Sequence, residues 1–234
     1  MSTIAAGYDF FETIPGETNF QFPNGLPIPA DFFHKGSAPF MGTIRFEGVP
    51  IREFTDARTG KKYETGTTDT VMHRRQDVAM KSIPGSGTTE VELVQLSLRS
   101  CSPIEVPSGR YRDRWDVRLS VSRSKPSVGT MTINQTSEHG GHFATKFVVV
   151  PHFRFERLAD GAERHLDMGA LKIPADRQEY VARLTTQETM EVPWQDSSPE
   201  DERAVLSSGF VIRLPIYHIH AVIPARLPAG VKQV

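Results

Sequence analysis

Residues 115–122, WDVRLSVS, alternate apolar and polar side chains at every position. In an extended chain, one side of this stretch would carry Trp115, Val117, Leu119 and Val121. Successive side chains of a β-strand point to opposite faces, so a period of two predicts a strand with one buried face. A helix would scatter the same residues around its axis. The stretch therefore favours a β-sheet protein.

The same alternation recurs in short segments bounded by Gly, Pro or Ser. These segments are GTIRFEG (42–48), GTMTINQ (129–135) and HFRFERL (152–158). In TEVELVQLSLRS (89–100), the apolar phase changes between Leu93 and Leu96, which predicts a β-bulge. The segment KFVVVP (146–151) is apolar without alternation and predicts a central strand that is covered on both faces.

Turn residues indicate how the strands are joined. Asp160-Gly161 and Gly60 each lie between alternating segments, and both predict β-hairpins. The chain has 17 prolines, which disfavour long helices. One short helix is predicted near residues 199–208, with Ser198 as its cap, Pro199 at its first position and Gly209 after its end.

These signals predict an all-β protein, built either as one antiparallel β-sandwich or as two stacked sandwich-like modules. We divide the chain into an extended N-terminal arm (1–40), a first β module (41–125) and a second β module (126–234). One continuous β domain is the alternative, since a chain of 234 residues is long enough for a large single core.

The N-terminal arm differs in composition from the rest of the chain. Residues 8–33 mix many aromatic residues with Pro and Gly, so they are unsuited to a helix and too apolar for a solvated tail. Two interpretations remain open. The arm packs on its own domain, or it covers the sheet edge of a neighbouring subunit as a donor strand.

Charge and hydropathy narrow the classes of partner. The chain has 27 basic and 28 acidic residues without a long block of either sign, so nothing favours nucleic-acid binding. Neither a signal peptide nor an apolar stretch of membrane-spanning length is recognisable, and we expect no membrane span. The single cysteine, Cys101, excludes an internal disulfide and is predicted to be a small buried residue.

Histidines provide the main chemical hypothesis. On a strand, His218 and His220 of YHIHA (217–221) would share one face, where they can act as two ligands of a metal ion. Glu138, His139 and His142, from the loop SEHGGHF (137–143), are the candidates for completing the site. Weaker candidates are His152 and His165.

Such a histidine set suits a divalent ion of Zn, Cu, Fe or Mn. Two alternatives involve no metal. In the first, His218 and His220 lie on the polar outer face of a strand and His139 and His142 lie on a surface loop. In the second, the histidines form a pH-sensitive interface. The chain has no nucleophile elbow, P-loop or Cys-x-x-Cys motif, so the catalytic residues, if any, are not identified.

The order of several segments resembles that of a loose group of uncharacterised bacterial proteins, often exported and sometimes carrying sorting anchors. The segments are PIPADFF (27–33), GTIRFEGVPI (42–51), TDTVMHRRQDV (68–78), ELVQLSLRSCSPIEV (92–106), RWDVRLSVS (114–122), GTMTINQT (129–136) and VVPHFRFERLADGAERHLDMG (149–169). The resemblance covers about residues 27–169 and implies an all-β exported protein. This chain departs from the group in showing no leader and no anchor.

The leading functional hypothesis is a non-enzymatic structural or binding protein. It would be a self-associating surface or extracellular component, with the N-terminal arm as the element that joins copies or a protein partner. The competing hypothesis is a metal-dependent β-fold enzyme with a histidine-ligated metal at His218, His220 and either His139 or His142.

Overall fold

The structure is a computed structural model that describes residues 2–13, 18–22, 27–137 and 140–171, with three short strands at 192–195, 211–212 and 231–233. The strands are β1 (Ser2–Ile4), β2 (Gly7–Phe11), β3 (Thr18–Phe22), β4 (Gly42–Gly48), β5 (Arg52–Thr55), β6 (Lys62–Gly66), β7 (Thr70–Arg74), β8 (Val78–Met80), β9 (Gly85–Leu96), β10 (Leu98–Ser100), β11 (Ile104–Ser108), β12 (Tyr111–Val121), β13 (Ser127–Ser137), β14 (Gly140–Phe147), β15 (Pro151–Arg157), β16 (Glu163–Asp167), β17 (Val192–Gln195), β18 (Val211–Ile212) and β19 (Val231–Gln233).

The all-β prediction is confirmed, because the described residues form strands and contain no helix. It follows that none of them forms an apolar helix long enough to cross a membrane. The helix predicted near residues 199–208 lies outside the described residues.

Two large sheets dominate the fold. Sheet I has the strand order β16-β15-β12-β10-β4-β3, and β11 also pairs with β12. Sheet II has the order β17-β14-β13-β9-β7-β2-β18, in which only the pairing of β18 with β2 is parallel. A small sheet, β19-β6-β5, and the β1–β8 pair complete the described architecture.

Residues 115–121 of the alternating stretch lie in β12, and the predicted orientation is confirmed for Trp115, Val117 and Leu119, which are buried. Ser122 follows the end of β12 and is itself buried, so the alternation stops before the last residue of the stretch. The other three segments behave alike, and their buried residues are Ile44 and Phe46 in β4, Met131 and Ile133 in β13, and Phe153 and Phe155 in β15. Residues of both large sheets join one hydrophobic cluster, which is the main core of the described chain.

The predicted bulge and hairpins are confirmed. Val71 lies opposite Gln95 and Met72 opposite Leu93, so Val94 is the extra residue of a bulge in β9. Gly60 and Gly161 occupy the β5–β6 and β15–β16 hairpins, with φ of 71° and 72°. Glycine adopts this left-handed backbone without steric cost.

The predicted central strand KFVVVP is wrong, because β14 ends at Phe147. Val148–Val150 instead connect β14 of sheet II to β15 of sheet I, and Val149 and Val150 are buried along the way. The Val150 N–H donates to Ser127 Oγ, and its C=O accepts from the Ser122 N–H. The run is apolar because it passes from one sheet to the other beside the core.

The prediction of a buried Cys101 is also wrong, since Cys101 is exposed. Arg99 lies opposite Arg118 and Ile104 opposite Trp115, so residues 100–103 face only residues 116–117 of β12. Residues 100–103 therefore bend out of the sheet, and the Cys101 thiol lies at the surface.

The first forty residues supply three strands to the sheets of their own chain. β1 pairs with β8, β2 with β7, and β3 with β4. Hydrogen-bonded pairs also join residues on either side of position 125, because β13 pairs with β9 and β15 with β12. The division into modules at 41–125 and 126–234 stays a prediction.

Candidate functional site

The predicted metal ligands fall largely outside the described residues. His139, His218 and His220 are not among them, and His142 is described only as a backbone position of β14 opposite Asn134. The metal site proposed from the sequence therefore stays a prediction. Within the described residues, no group of three or more His, Cys, Asp or Glu side chains is arranged to hold a metal ion.

Two other histidines meet on the outer face of sheet I. His152 Nε2 lies 3.3 Å from His165 Nδ1, and the two rings are nearly parallel, at 8°. The remaining nitrogens are also engaged: His152 Nδ1 lies 3.3 Å from Ser120 Oγ, and His165 Nε2 lies 3.4 Å from Glu163 Oε2. We call these four residues the imidazole row.

Strand register assembles the imidazole row. Ser120 of β12, His152 of β15 and Asp167 of β16 lie side by side across three strands. His165 lies two residues before Asp167 and thus on the same face. Phe153 and Leu166, the intervening pair, point into the core. The polar side chains therefore lie together on the outer face, and the side chains of the intervening pair lie in the core beneath them.

Burial lowers the pKa of His152, and the nearby His165 and Arg123 lower it further, against the opposing effect of Asp167. Glu163 is ionised, because Arg154 beside it lowers the pKa of its carboxyl group. The row does not resemble a hydrolytic site. The backbone N–H groups of Leu119 and Ser120 lie in the ladders with β10 and β15, so they do not form an oxyanion hole beside Ser120 Oγ.

The sequence patterns predict His152 and His165 only as weaker ligands of a different site, and they do not indicate that the two rings meet. The available signal was the Asp160-Gly161 hairpin, which brings the two flanking segments together. Ser120 carried no local signal, because its position depends on the pairing of β12 with β15.

A second polar cluster lies between sheet II and the β5–β6 hairpin. The Tyr8 hydroxyl donates to Asp56 Oδ1 at 2.5 Å, and its ring lies 4.8 Å from those of Phe54 and His73. Burial, followed by the hydrogen bond to Asp56, raises the pKa of Tyr8 to about 12. A tyrosine in this state is a hydrogen-bond donor and a poor nucleophile, so the cluster is suited to anchoring the hairpin.

Asp56 completes this anchor. Burial alone would raise the pKa of its carboxyl group, but hydrogen bonds from Tyr8, Thr59 and the Arg58 backbone lower it to about 2. The carboxylate is thus ionised and saturated with donors, which leaves it unsuited to act as a general base at neutral pH.

Sheet I also opens between β4 and β11. The last hydrogen bond on this side of β4 runs from the Cys101 N–H to the Arg45 C=O at 2.9 Å, and β11 then pairs with β12 alone. The resulting cleft has a volume of about 450 Å³. It is lined by Phe40, Thr43, Ile44, Arg45, Ser102, Pro103, Ile104 and Glu105.

The β4–β11 cleft combines an apolar floor with a polar rim. Ile44 and Ile104 are buried, whereas the alternate residues Thr43, Arg45 and Glu105 are exposed. Backbone groups alternate in direction along an antiparallel strand, so the N–H and C=O groups of Thr43 and Glu105 point into the cleft. Sequence reasoning missed the cleft, although Pro103, which cannot donate to a ladder, marks its closed end.

No family model, curated protein or solved structure matches this chain.

Proposed function

We propose that the protein is a non-enzymatic structural or binding protein that self-associates through its N-terminal arm, residues 1–40, as a surface or extracellular component. The observation that carries this proposal is the position of β3. This strand of the arm is the last strand of sheet I in the part of the chain that the structure describes. The outer edge of such a strand is a template for pairing with a second chain.

The register of β3 supports edge-to-edge pairing. Because the Arg45 C=O faces β10, alternate residues of β4 such as Ile44 turn their backbone groups toward β3. Phe20 lies opposite Ile44 and is bonded to it, so the neighbouring Gln21 turns its N–H away from β4. The Gln21 side chain is exposed, while Phe20 and Phe22 are anchored in the core.

The test is a Gln21→Pro substitution. Proline removes one outward N–H from β3 without removing a bond to β4. We expect Gln21→Pro to reduce self-association at least tenfold in sedimentation or light scattering, while far-UV circular dichroism remains that of the wild-type chain. The matched control is Gln21→Ala, which keeps the N–H and should associate normally.

Two results would overturn the proposal: a wild-type chain that is monomeric over a wide concentration range, or a folded Gln21→Pro variant that associates like the wild type. Deletion of the whole arm is a poorer test. It removes β1, β2 and β3 together with buried Phe11 and Phe20, and it would unfold the chain.

We also propose that sheets I and II form the two layers of a β-sandwich. The support is the larger of the two core clusters, to which Trp115 and Phe153 of sheet I and Met131 and Ile133 of sheet II all belong. An experimental structure in which these side chains interdigitate across a gap of about 10 Å would agree with the proposal.

A further inference from the structure

In the imidazole row, His152 Nε2 and His165 Nδ1 lie next to each other. His152 Nδ1 contacts Ser120, and His165 Nε2 contacts Glu163. Glu163 is a carboxylate and can only accept a hydrogen bond, so its contact with His165 Nε2 at 3.4 Å favours the neutral tautomer with the proton on Nε2 and the lone pair on Nδ1. That lone pair faces His152 Nε2 at 3.3 Å.

The partner of His152 allows its ring to adopt either tautomer. Ser120 can donate to Nδ1, in which case the His152 Nε2–H donates to His165. When Ser120 accepts from Nδ1–H instead, both inner nitrogens present lone pairs to the same point. In that tautomer the two lone pairs repel each other, and a cation bound beside the line that joins the nitrogens would relieve the repulsion. Rotation of the Ser120 hydroxyl group is enough to select this tautomer.

The spacing of the inner nitrogens suits a metal ion. Zinc–imidazole bonds of about 2.0–2.1 Å in a tetrahedral arrangement place two ligand nitrogens about 3.3 Å apart. The observed separation of 3.3 Å matches this spacing. Histidine ligands of metals commonly donate their second N–H to a carboxylate or another polar group, as Glu163 and Ser120 are placed to accept here.

We propose that His152 Nε2 and His165 Nδ1 bind a divalent first-row cation of the Zn²⁺ or Cu²⁺ type, with Glu163 and Ser120 orienting the rings and solvent filling the remaining positions. Imidazole ligands favour these metals. The bound cation would link His152 of β15 to His165 of the edge strand β16. The contact between Ser120 and His152 would connect the site to β12. It is independent of self-association through β3.

Neighbouring charges set the electrostatics of the site. Asp167 lies opposite His152 and favours a bound cation, but its oxygens accept from Ser124 Oγ at 2.8 Å and from the Gly169 N–H at 2.9 Å. Arg123 opposes the cation, and Arg154 offsets the charge of Glu163. With two protein ligands among the described residues, we expect binding to be weaker than at a closed structural zinc site.

The test is calorimetric titration of the chelator-stripped full chain with Zn²⁺. The background is a variant in which His139, His142, His218 and His220 are all replaced by Ala, which removes the site predicted from the sequence. We expect one Zn²⁺ per chain to bind in this background. Addition of His152→Ala or His165→Ala should weaken binding at least tenfold, and Glu163→Gln should weaken it about 10- to 100-fold.

The control is His34→Ala, which removes an imidazole whose nitrogens lie 3.1 Å and 3.0 Å from the Lys35 and Pro107 carbonyl oxygens. This change should leave Zn²⁺ affinity unaltered. Urea unfolding midpoints without metal establish that each variant is folded. Failure of the background variant to bind Zn²⁺, or undiminished binding by a folded His152→Ala variant, would overturn the proposal.

Discussion

At the residue scale, buried polar groups occur where the arm meets the body of the protein. Asp9 and Arg74 are both fully buried, and Arg74 Nε lies 3.0 Å from Asp9 Oδ2. Arg74 Nη1 also donates to the Ala5 C=O at 2.5 Å. A buried pair of this kind costs desolvation but binds its partners in one geometry, so it specifies how β2 pairs with β7.

Asp69 is the second buried group at this junction. Its carboxylate accepts from the Thr13 N–H at 2.8 Å and from the hydroxyl groups of Thr13 and Thr70. A Cβ on Gly48 would lie only 1.7 Å from Asp69 Oδ2, so only glycine fits beneath the carboxylate. Burial nevertheless raises the pKa of Asp69 to about 6, and the charge of Glu12 adds to the effect.

We predict that Asp69 makes stability depend on pH. Its folded-state pKa exceeds the ordinary 3.8, so the native state binds this proton more tightly than the unfolded chain. The contribution is present below about pH 4 and is lost as the pH rises through about 6. The loss amounts to about 3 kcal/mol in the free energy of unfolding.

The comparison that isolates this effect is urea unfolding of wild type and Asp69→Asn between pH 4 and pH 7. Asparagine keeps an oxygen acceptor without the charge, so the variant should lose less stability than the wild type over this range. Identical pH profiles would show that the ionisation of Asp69 does not affect folding.

At the scale of elements, hairpins depend on the backbone freedom of single glycines. A Cβ built on Gly161 meets no atom within 4 Å, so a side chain there has room but the wrong backbone conformation, with φ of 72°. The Gly161→Ala change thus separates backbone strain from crowding.

We predict that Gly161→Ala lowers the free energy of unfolding by about 1 kcal/mol, the usual cost of a left-handed residue with a Cβ. Gly161→Asn should cost less, because asparagine tolerates this conformation. Chemical denaturation measures both. An alanine variant as stable as the wild type would mean that the hairpin changes its turn type.

At the scale of the whole molecule, pairing across position 125 couples the two predicted modules. β9 pairs with β13 and β12 with β15, and the core cluster contains residues from both sides. Elements that share one core are expected to unfold together.

We therefore predict a single cooperative unfolding transition. Fluorescence, to which buried Trp115 contributes, and far-UV circular dichroism should give the same midpoint in urea. Two separated transitions would instead favour independent modules at 41–125 and 126–234.

Local sequence patterns were enough to predict the fold class, the strand that contains Trp115–Leu119, the bulge near Val94 and the Gly60 and Gly161 hairpins. Each of these has a local cause: side chains alternate with a period of two, and a left-handed turn favours glycine. Local patterns do not specify which strands become neighbours or where the chain crosses the core.

The remaining features depend on contacts between segments that are far apart in the chain. The run Val148–Val150 became a crossover because strand length and sheet order, not hydrophobicity, determine where a strand ends. Cys101 is at the surface because four residues, 100–103, lie opposite only two residues of β12, 116–117. Ser120 and His152, 32 residues apart, meet only because β12 and β15 pair in one register, and long-range packing sets that register.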